Sequence, residues 1–104
     1  MAQKPSRKVR VTLRARDDLK NIGRYTAQTW GKAQRNRYLN SIDSRICWLA
    51  DNPQLGRHRA DICEGYYSLP EGQHVIFYLV DNDFIDIIGI PHKEMDIISY
   101  FLGG

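Results

Sequence analysis

The segment 73–96, QHVIFYLVDNDFIDIIGIPHKEMD, constrains the fold of this chain more than any other. Two runs rich in β-branched and aromatic residues, 74–80 and 84–90, flank Asp81, Asn82 and Asp83. Short Asx side chains tolerate the backbone a hairpin turn demands, so the segment predicts two antiparallel strands joined by a tight polar turn. Both runs are apolar on both faces more than they alternate. Strands of that kind lie at the centre of a sheet, covered on one face and partly on the other. The remaining chain must supply that cover.

With 104 residues the chain is expected to form one domain with a single modest core. No apolar run approaches the ~20 residues of a membrane helix, and the N-terminus has charge but no apolar h-region, so no signal peptide is expected. A cytoplasmic protein with reduced cysteines follows, Cys47 and Cys63 being read as packing residues rather than as a bridge or a zinc site. The net charge of +3 is uneven. Lys4, Arg7, Lys8, Arg10, Arg14 and Arg16 precede the first acid, Asp17, and give the first 16 residues a charge of +6. That basic end is either a solvated tail and first strand or an edge that faces an anionic or acidic partner.

Taken in order, residues 1–7 read as a disordered basic tail and residues 8–104 as the folded domain. Residues 8–12 form a short strand. Thr12 stands at an N-cap position and Asp17 and Asp18 follow in the early turns, where the helix dipole favours them. Ala15, Leu19, Ile22, Thr26 and Trp30 recur at helical spacing, which predicts a first helix over 13–30 that stops at Gly31. Leu39, Ile42, Ile46 and Leu49 stripe a second helix that ends at Asn52-Pro53. Two helices joined at one glycine fold back as a hairpin. Leu55, Gly56 and Arg57 form a loop, 60–68 a strand, and Pro70, Glu71 and Gly72 a turn. A short C-terminal helix covers part of the sheet through Met95, Ile98 and Leu102. The expected fold is a single α+β domain of two layers in the order β-α-α-β-β-β-α. A twisted antiparallel sheet carries the helical hairpin on one face and the short helix on the other.

No GxSxG, P-loop, HExxH or glycine-rich phosphate cradle occurs. His58, His74 and His92 have no spacing that suggests a shared metal, so neither metal nor cofactor is expected. The residues left with chemical potential are Arg57, Arg59, Tyr66, Tyr67, His74, Tyr78 and His92. A metal-independent ribonuclease could use such a set, with His or Tyr moving protons and Arg countering phosphate charge. Each also has a structural reading: tyrosines pack sheet faces, a histidine before a helix bonds nearby backbone, and an arginine after a glycine anchors its own loop.

Four pieces of sequence resemble, in order and spacing, the ParE branch of the ParE/RelE toxin superfamily. They are Ala15, Asp18, Leu19, Ile22, Tyr25 and Thr26 with Trp30, Gly31 and Gln34; then Leu49, Ala50, Asn52, Pro53, Gly56 and Arg57; then the run from His74 to Tyr78; and Ile90, Pro91, His92, Lys93, Met95 and Asp96. Pro91 departs from the pattern, since related sequences tend to carry another apolar residue there. The resemblance implies the toxin half of a bacterial type II toxin–antitoxin pair. Its partner would be an acidic, partly disordered, ParD-like antitoxin in a hetero-oligomer. ParE members act on DNA gyrase and block replication, whereas RelE relatives cleave mRNA on the ribosome.

The first expectation is therefore a non-enzymatic gyrase inhibitor without membrane contact or sequence-specific DNA binding of its own. The alternatives are a RelE-like endoribonuclease using Arg57, Arg59, Tyr78 and His92, or an inactive interaction domain. Lys93 is the sole lysine after Lys32, a thin basic complement for a RelE-type site. Antitoxin contacts are expected on the hairpin at Trp30, Lys32, Arg35, Tyr38 and Arg45, and target contacts at Arg57, Tyr66, Tyr78, His92, Met95 and Asp96. A disordered partner could lay a helix on the hairpin and add a strand to a free sheet edge.

Overall fold

The structure, a computed structural model, describes residues 7–103. The chain runs β1 (Lys8–Val11), α1 (Leu13–Trp30), α2 (Lys32–Asp51), a 3-10 turn (Pro53–Leu55), β2 (Arg57–His58), β3 (Tyr67–Glu71), β4 (His74–Val80), β5 (Phe84–Gly89) and α3 (Ile97–Leu102). The expected basic tail lies outside the described residues except for Arg7. That residue is held: its backbone N–H donates to the Ala50 carbonyl and its Nε to the Asp81 carbonyl at 2.7 Å.

The five strands lie in the order β1-β5-β4-β3-β2, so the segment that dominates the sequence also occupies the middle of the sheet. Asp81 builds the predicted turn by accepting the backbone N–H groups of Asp83 (2.8 Å) and Phe84 (2.7 Å). Those bonds favour its ionised form and hold its pKa below the usual carboxylate range. The sheet is mixed where an antiparallel one was expected. β1 runs parallel to β5, with Val9 opposite Ile85 and Val11 opposite Ile87, and every other pair is antiparallel. β1 and β5 are joined through the helical hairpin and three intervening strands, so no tight turn requires them to run antiparallel.

The hairpin forms as the periodicity predicts. The Thr12 hydroxyl accepts the Ala15 N–H at 3.2 Å and caps α1. Gly31, at φ +92°, turns the chain between the helices in a conformation that side chains with a Cβ rarely adopt. Ala15, Ile22, Ile42, Ile46, Leu49 and Ala50 meet Ile76, Tyr78, Ile85, Ile87 and Ile90 in one core. Full burial of a Leu or Ile side chain contributes ~1.5–3 kcal/mol, so this layer carries most of the apolar driving force.

Four local expectations are corrected. Of the strand expected over 60–68, only Tyr67 and Ser68 are extended, as the start of β3; residues 59–66 form a tight loop between the two-residue β2 and β3. Pro70 and Glu71 belong to β3, and the turn is Gly72-Gln73. Pro70 pairs with Val75 without needing an N–H, because its nitrogen faces the outer edge. Trp30 leaves the buried stripe and is 70% exposed, since α1 there has run past the sheet. Cys47 and Cys63 are free, as expected, but exposed rather than packed.

Candidate functional site

The sheet face opposite the hairpin gathers cations and aromatic rings. Phe77 of β4 faces this side and is fully buried. Phe101 of α3 meets it edge-on at 5.1 Å and meets Tyr66 edge-on at 5.2 Å. The Arg59 guanidinium lies 5.4 Å from the Phe77 ring centre. It donates to both Asp61 carboxylate oxygens (3.0 and 3.1 Å) and to the Ser68 hydroxyl (3.3 Å). That pairing holds the Asp61 carboxyl below its ordinary pKa. Arg14 lies over Tyr100 and Phe101, at 5.1 and 5.5 Å. Arg57 pairs with Ser68 across β2 and β3, so its side chain shares the Ser68 face and is exposed. Neither Arg14 nor Arg57 forms an ion pair with a described residue. Arg10 continues the row and is clamped by Asp86 at 2.6 Å.

α3 covers this face through other residues than expected. Met95, Ile98 and Leu102 are 47, 48 and 79% exposed. Asp96 explains the change of phase. Its carboxylate accepts the Ile98 and Ser99 N–H groups and the Ser99 hydroxyl (3.0 Å), which starts the helix at Ile97. With that start, Tyr100 and Phe101 turn inward. The Tyr100 hydroxyl reaches over Gly89 to donate to Asp18 of α1, which also accepts the Ile90 N–H at 2.8 Å. Burial pushes the Tyr100 pKa well up, and its bond to Asp18 adds to the shift. Phe77, Tyr100, Phe101, Arg14 and Asp18 were not assigned to a site from sequence, although Asp18 and Phe77 lie in the motifs that carry the resemblance. The Asp96-x-x-Ser99 spacing is the signal that fixes the helix start and hence the inward residues.

A second cluster sits at the β3–β4 turn, on the hairpin side. The Tyr38 hydroxyl lies 2.6 Å from His74 Nδ1, accepts the Gln73 N–H (3.0 Å) and donates to the Glu71 carbonyl (3.3 Å). Gly72, at φ +58°, fits beneath it: a Cβ there would lie 2.5 Å from the Tyr38 ring. His92 bridges His74 across the extended strand, ring to ring at 5.3 Å, and its Nδ1 accepts the Glu94 N–H at 3.2 Å. Pro91 is buried, and its carbonyl accepts the Val75 N–H at 3.0 Å; the chain therefore stays in the sheet past the proline.

Burial, with His92 close by, pushes the His74 pKa down from 6.5 to about 4. The folded state thus favours neutral His74. Stability from this group is complete above pH 6.5 and falls as pH drops toward 4, where the unfolded chain binds the proton and the folded chain does not. The urea midpoint is expected to fall across that window, and to fall less in His74→Gln. Equal slopes in the two proteins would remove His74 as the cause.

The expected nuclease set does not assemble. Arg57 and Arg59 lie on the α3 side. Tyr78 points into the hairpin core, fully buried, and donates to the Pro53 carbonyl at 2.8 Å. Burial pushes its pKa up to about 12. His92 is exposed beside His74 at the far corner. Of the target residues, Tyr66 and Arg57 line the cationic face and Asp96 caps α3. Of the antitoxin residues, Trp30 and Lys32 are exposed. Arg35 bonds Asn36 (3.1 Å), Arg45 pairs with Glu71 (3.0 Å) and lies over Trp48, and Tyr38 holds the β3–β4 turn. Among the described residues no three His, Cys, Asp or Glu side chains converge as a metal centre would need, and no helix is long and apolar enough to cross a membrane.

The family model described as the ParE toxin of the type II toxin–antitoxin system parDE matches residues 9–97. The chain therefore belongs to the ParE toxin family of type II toxin–antitoxin systems. Toxin ParE1 of Caulobacter vibrioides is 32% identical over 87 residues, covering 84% of this chain and 90% of its own. Toxin ParE1 of Mycobacterium tuberculosis is 34% identical over 84 residues, covering 80% and 86%. Among solved structures, the chromosomal ParDE system from P. aeruginosa superposes with a TM-score of 0.73 at 19% identity, covering 86% of this chain and 98% of that one. The toxin–antitoxin complex RelBE2 from Mycobacterium tuberculosis gives 0.66 at 20% identity, covering 86% and 100%. At such identities these two likenesses speak to the fold.

Proposed function

We propose that this toxin acts by binding, with DNA gyrase as its target, and that a ParD-like acidic antitoxin neutralises it by direct contact. The observation that carries the binding mode is the dispersal of the proton-transfer candidates. Phosphodiester cleavage needs a proton-moving group and a cation on the same phosphate. Here the Tyr78 hydroxyl is sealed in the core, and His92 stands on the hairpin side, away from Arg57 and Arg59. Exposed Arg14 and Arg57 beside the half-buried rings of Tyr66 and Phe101 suit an anchor cluster for a protein surface. Membership of the ParE family supports gyrase as the target.

Inducing the toxin in cells while scoring DNA supercoiling and translation together separates the readings. Gyrase inhibition disturbs supercoiling first; mRNA cleavage stops translation first. His92→Gln is expected to keep substantial toxicity, and Arg57→Ala to weaken it by about tenfold or more as a lost anchor. Ribosome-dependent mRNA cuts, together with a folded but non-toxic His92→Gln protein, would move the assignment to the nuclease branch.

For the antitoxin, β1 is the open edge. Lys8 and Thr12 donate to Asp83 and Ile87 of the β5 strand and its turn, so the peptide groups of Val9 and Val11 face away from the sheet. β2 and Pro70 close the opposite edge. Arg7, Lys8 and Arg10 flank the open edge and favour an acidic strand there. Association with the antitoxin is expected to slow as salt rises, with dissociation changing less, because charge steers encounter while apolar contacts set lifetime. A salt-independent association rate, measured by stopped flow, would count against this steering.

A further inference from the structure

The outer face of α2 is shaped by the sizes of its side chains. Arg37, Ser41, Ser44 and Trp48 follow one another at helical spacing and fall on one stripe. Two small hydroxyl residues between a long arginine and a large indole leave a depression about 16 Å long, at ~1.5 Å per residue. It opens as a groove of about 640 Å³ that also takes in Asn40, Arg45 and Glu71. At one end Arg45 and Trp48 form a platform. The Arg45 guanidinium lies over the indole at 5.1 Å and is pinned by Glu71 at 3.0 Å, which also answers the Glu71 charge. Trp48 remains 36% exposed. At the other end Arg37 is exposed and bonds only Gln34 (3.0 Å), with no carboxylate partner among the described residues. The wider hairpin adds to the positive field. Between Asp18 and Asp43 it carries Lys20, Arg24, Lys32, Arg35 and Arg37 and no acid.

We propose that this groove binds a single strand of nucleic acid, with one base stacked at Trp48 and the phosphate chain running past Ser44 and Ser41 to Arg37. The two hydroxyls and the Asn40 amide donate to phosphate and sugar oxygens, and Arg37 supplies the charge. The indole takes a base of any identity, so binding is tolerant of sequence. A duplex fits less well, because its base faces are already stacked. An acidic peptide would answer the charge, but no aliphatic side chain lines the groove to seat its apolar anchors. The strand is held and not cut. No histidine or tyrosine lines the groove, and its one carboxylate is engaged by Arg45. The inference goes beyond the gyrase target and needs neither gyrase nor the antitoxin.

Trp30 and Trp48 are the two tryptophans of the chain, so Trp30→Phe leaves Trp48 as the sole indole. The probes are dodecathymidylate and dodecauridylate, titrated into the full chain. In the Trp30→Phe protein either strand should quench the Trp48 emission. With fluorescein-labelled strands, anisotropy should show Trp48→Leu binding about tenfold more weakly, the effect of one lost stacked base, and Trp48→Phe recovering most of that loss. Arg37→Gln should weaken binding at low salt. It should also lower the slope of log affinity against log salt by about 0.7, as expected for one phosphate contact on a single strand. Urea midpoints check that the variants are folded. If Trp48→Leu does not fold, the quenching and the exposed Arg37→Gln variant carry the test. Tighter binding of dodecauridylate assigns the strand as RNA, tighter binding of dodecathymidylate as DNA, and equal binding supports the shared phosphate and base chemistry. Unquenched Trp48, an unchanged affinity in a folded Trp48→Leu protein, duplex DNA bound as tightly as a single strand, or displacement of the strand by an equal concentration of a dodecaglutamate peptide would each overturn the proposal.

Discussion

Leu49→Ala is expected to cost about 2–5 kcal/mol of folding stability, the range for a buried leucine replaced without collapse of the site. Leu49 is 0% exposed, near the end of α2, inside the cluster that joins both helices to β4 and β5. Its removal leaves a cavity at the seam between the two layers, and rigid strands on one side limit relaxation. A loss of that size is a large share of the ~5–15 kcal/mol typical of small domains. Leu13→Ala is the control: Leu13 is 79% exposed, and its truncation should change stability by less than ~0.5 kcal/mol. Urea unfolding with an unchanged slope would report both values. A Leu49→Ala loss within error would mean that α2 does not pack on the sheet as described.

Leu49 illustrates what was legible in the sequence. Long helices announce themselves, because a 3.6-residue stripe repeated over several turns has one phase, and Thr12, Gly31 and Asn52-Pro53 mark the ends. The central hairpin was legible for a similar reason, since two apolar runs around an Asx turn admit few alternatives. Where the repeats were short, the reading failed. Six residues of α3 fit two phases, and only the Asp96 cap selects the one that buries Phe101 rather than Leu102. Trp30 shares the stripe of α1 but lies beyond the sheet, and periodicity says nothing about where the opposing layer ends. The parallel direction of β1 was hidden because strand pairing is a tertiary choice. For the site, Arg57 and Arg59 were visible as cations, but strand parity gives a residue's face only after the register is known. Tyr78 was therefore assigned a chemical role although its hydroxyl points inward.

The second large effect is expected at the place where that inward hydroxyl lands. Tyr78 donates to the Pro53 carbonyl at 2.8 Å, closing the 3-10 turn that leads from α2 toward β2. Gly56 lies directly over the ring: a Cβ at that position would stand 2.7 Å from Cζ and 2.9 Å from Cε1 of Tyr78. The ring cannot swing aside, because it is fully buried and stacked on Tyr67 at 5.6 Å. Gly56→Ala must then displace the turn and break the bond to Pro53. Overpacking costs ~1–3 kcal/mol and an orphaned buried polar group a further ~1–3 kcal/mol. The expected loss is above about 3 kcal/mol, read as a fall in the urea midpoint. Tyr78→Phe keeps the ring and removes only the donor, so its loss should stay near ~1–3 kcal/mol. The double variant should lose less than the sum, because part of the crowding disappears with the oxygen. Toxicity should track stability across the three proteins, since the turn positions Arg57 on the cationic face. If Tyr78→Phe abolished toxicity at wild-type stability, the hydroxyl would be acting chemically, and the binding mechanism would have to be given up.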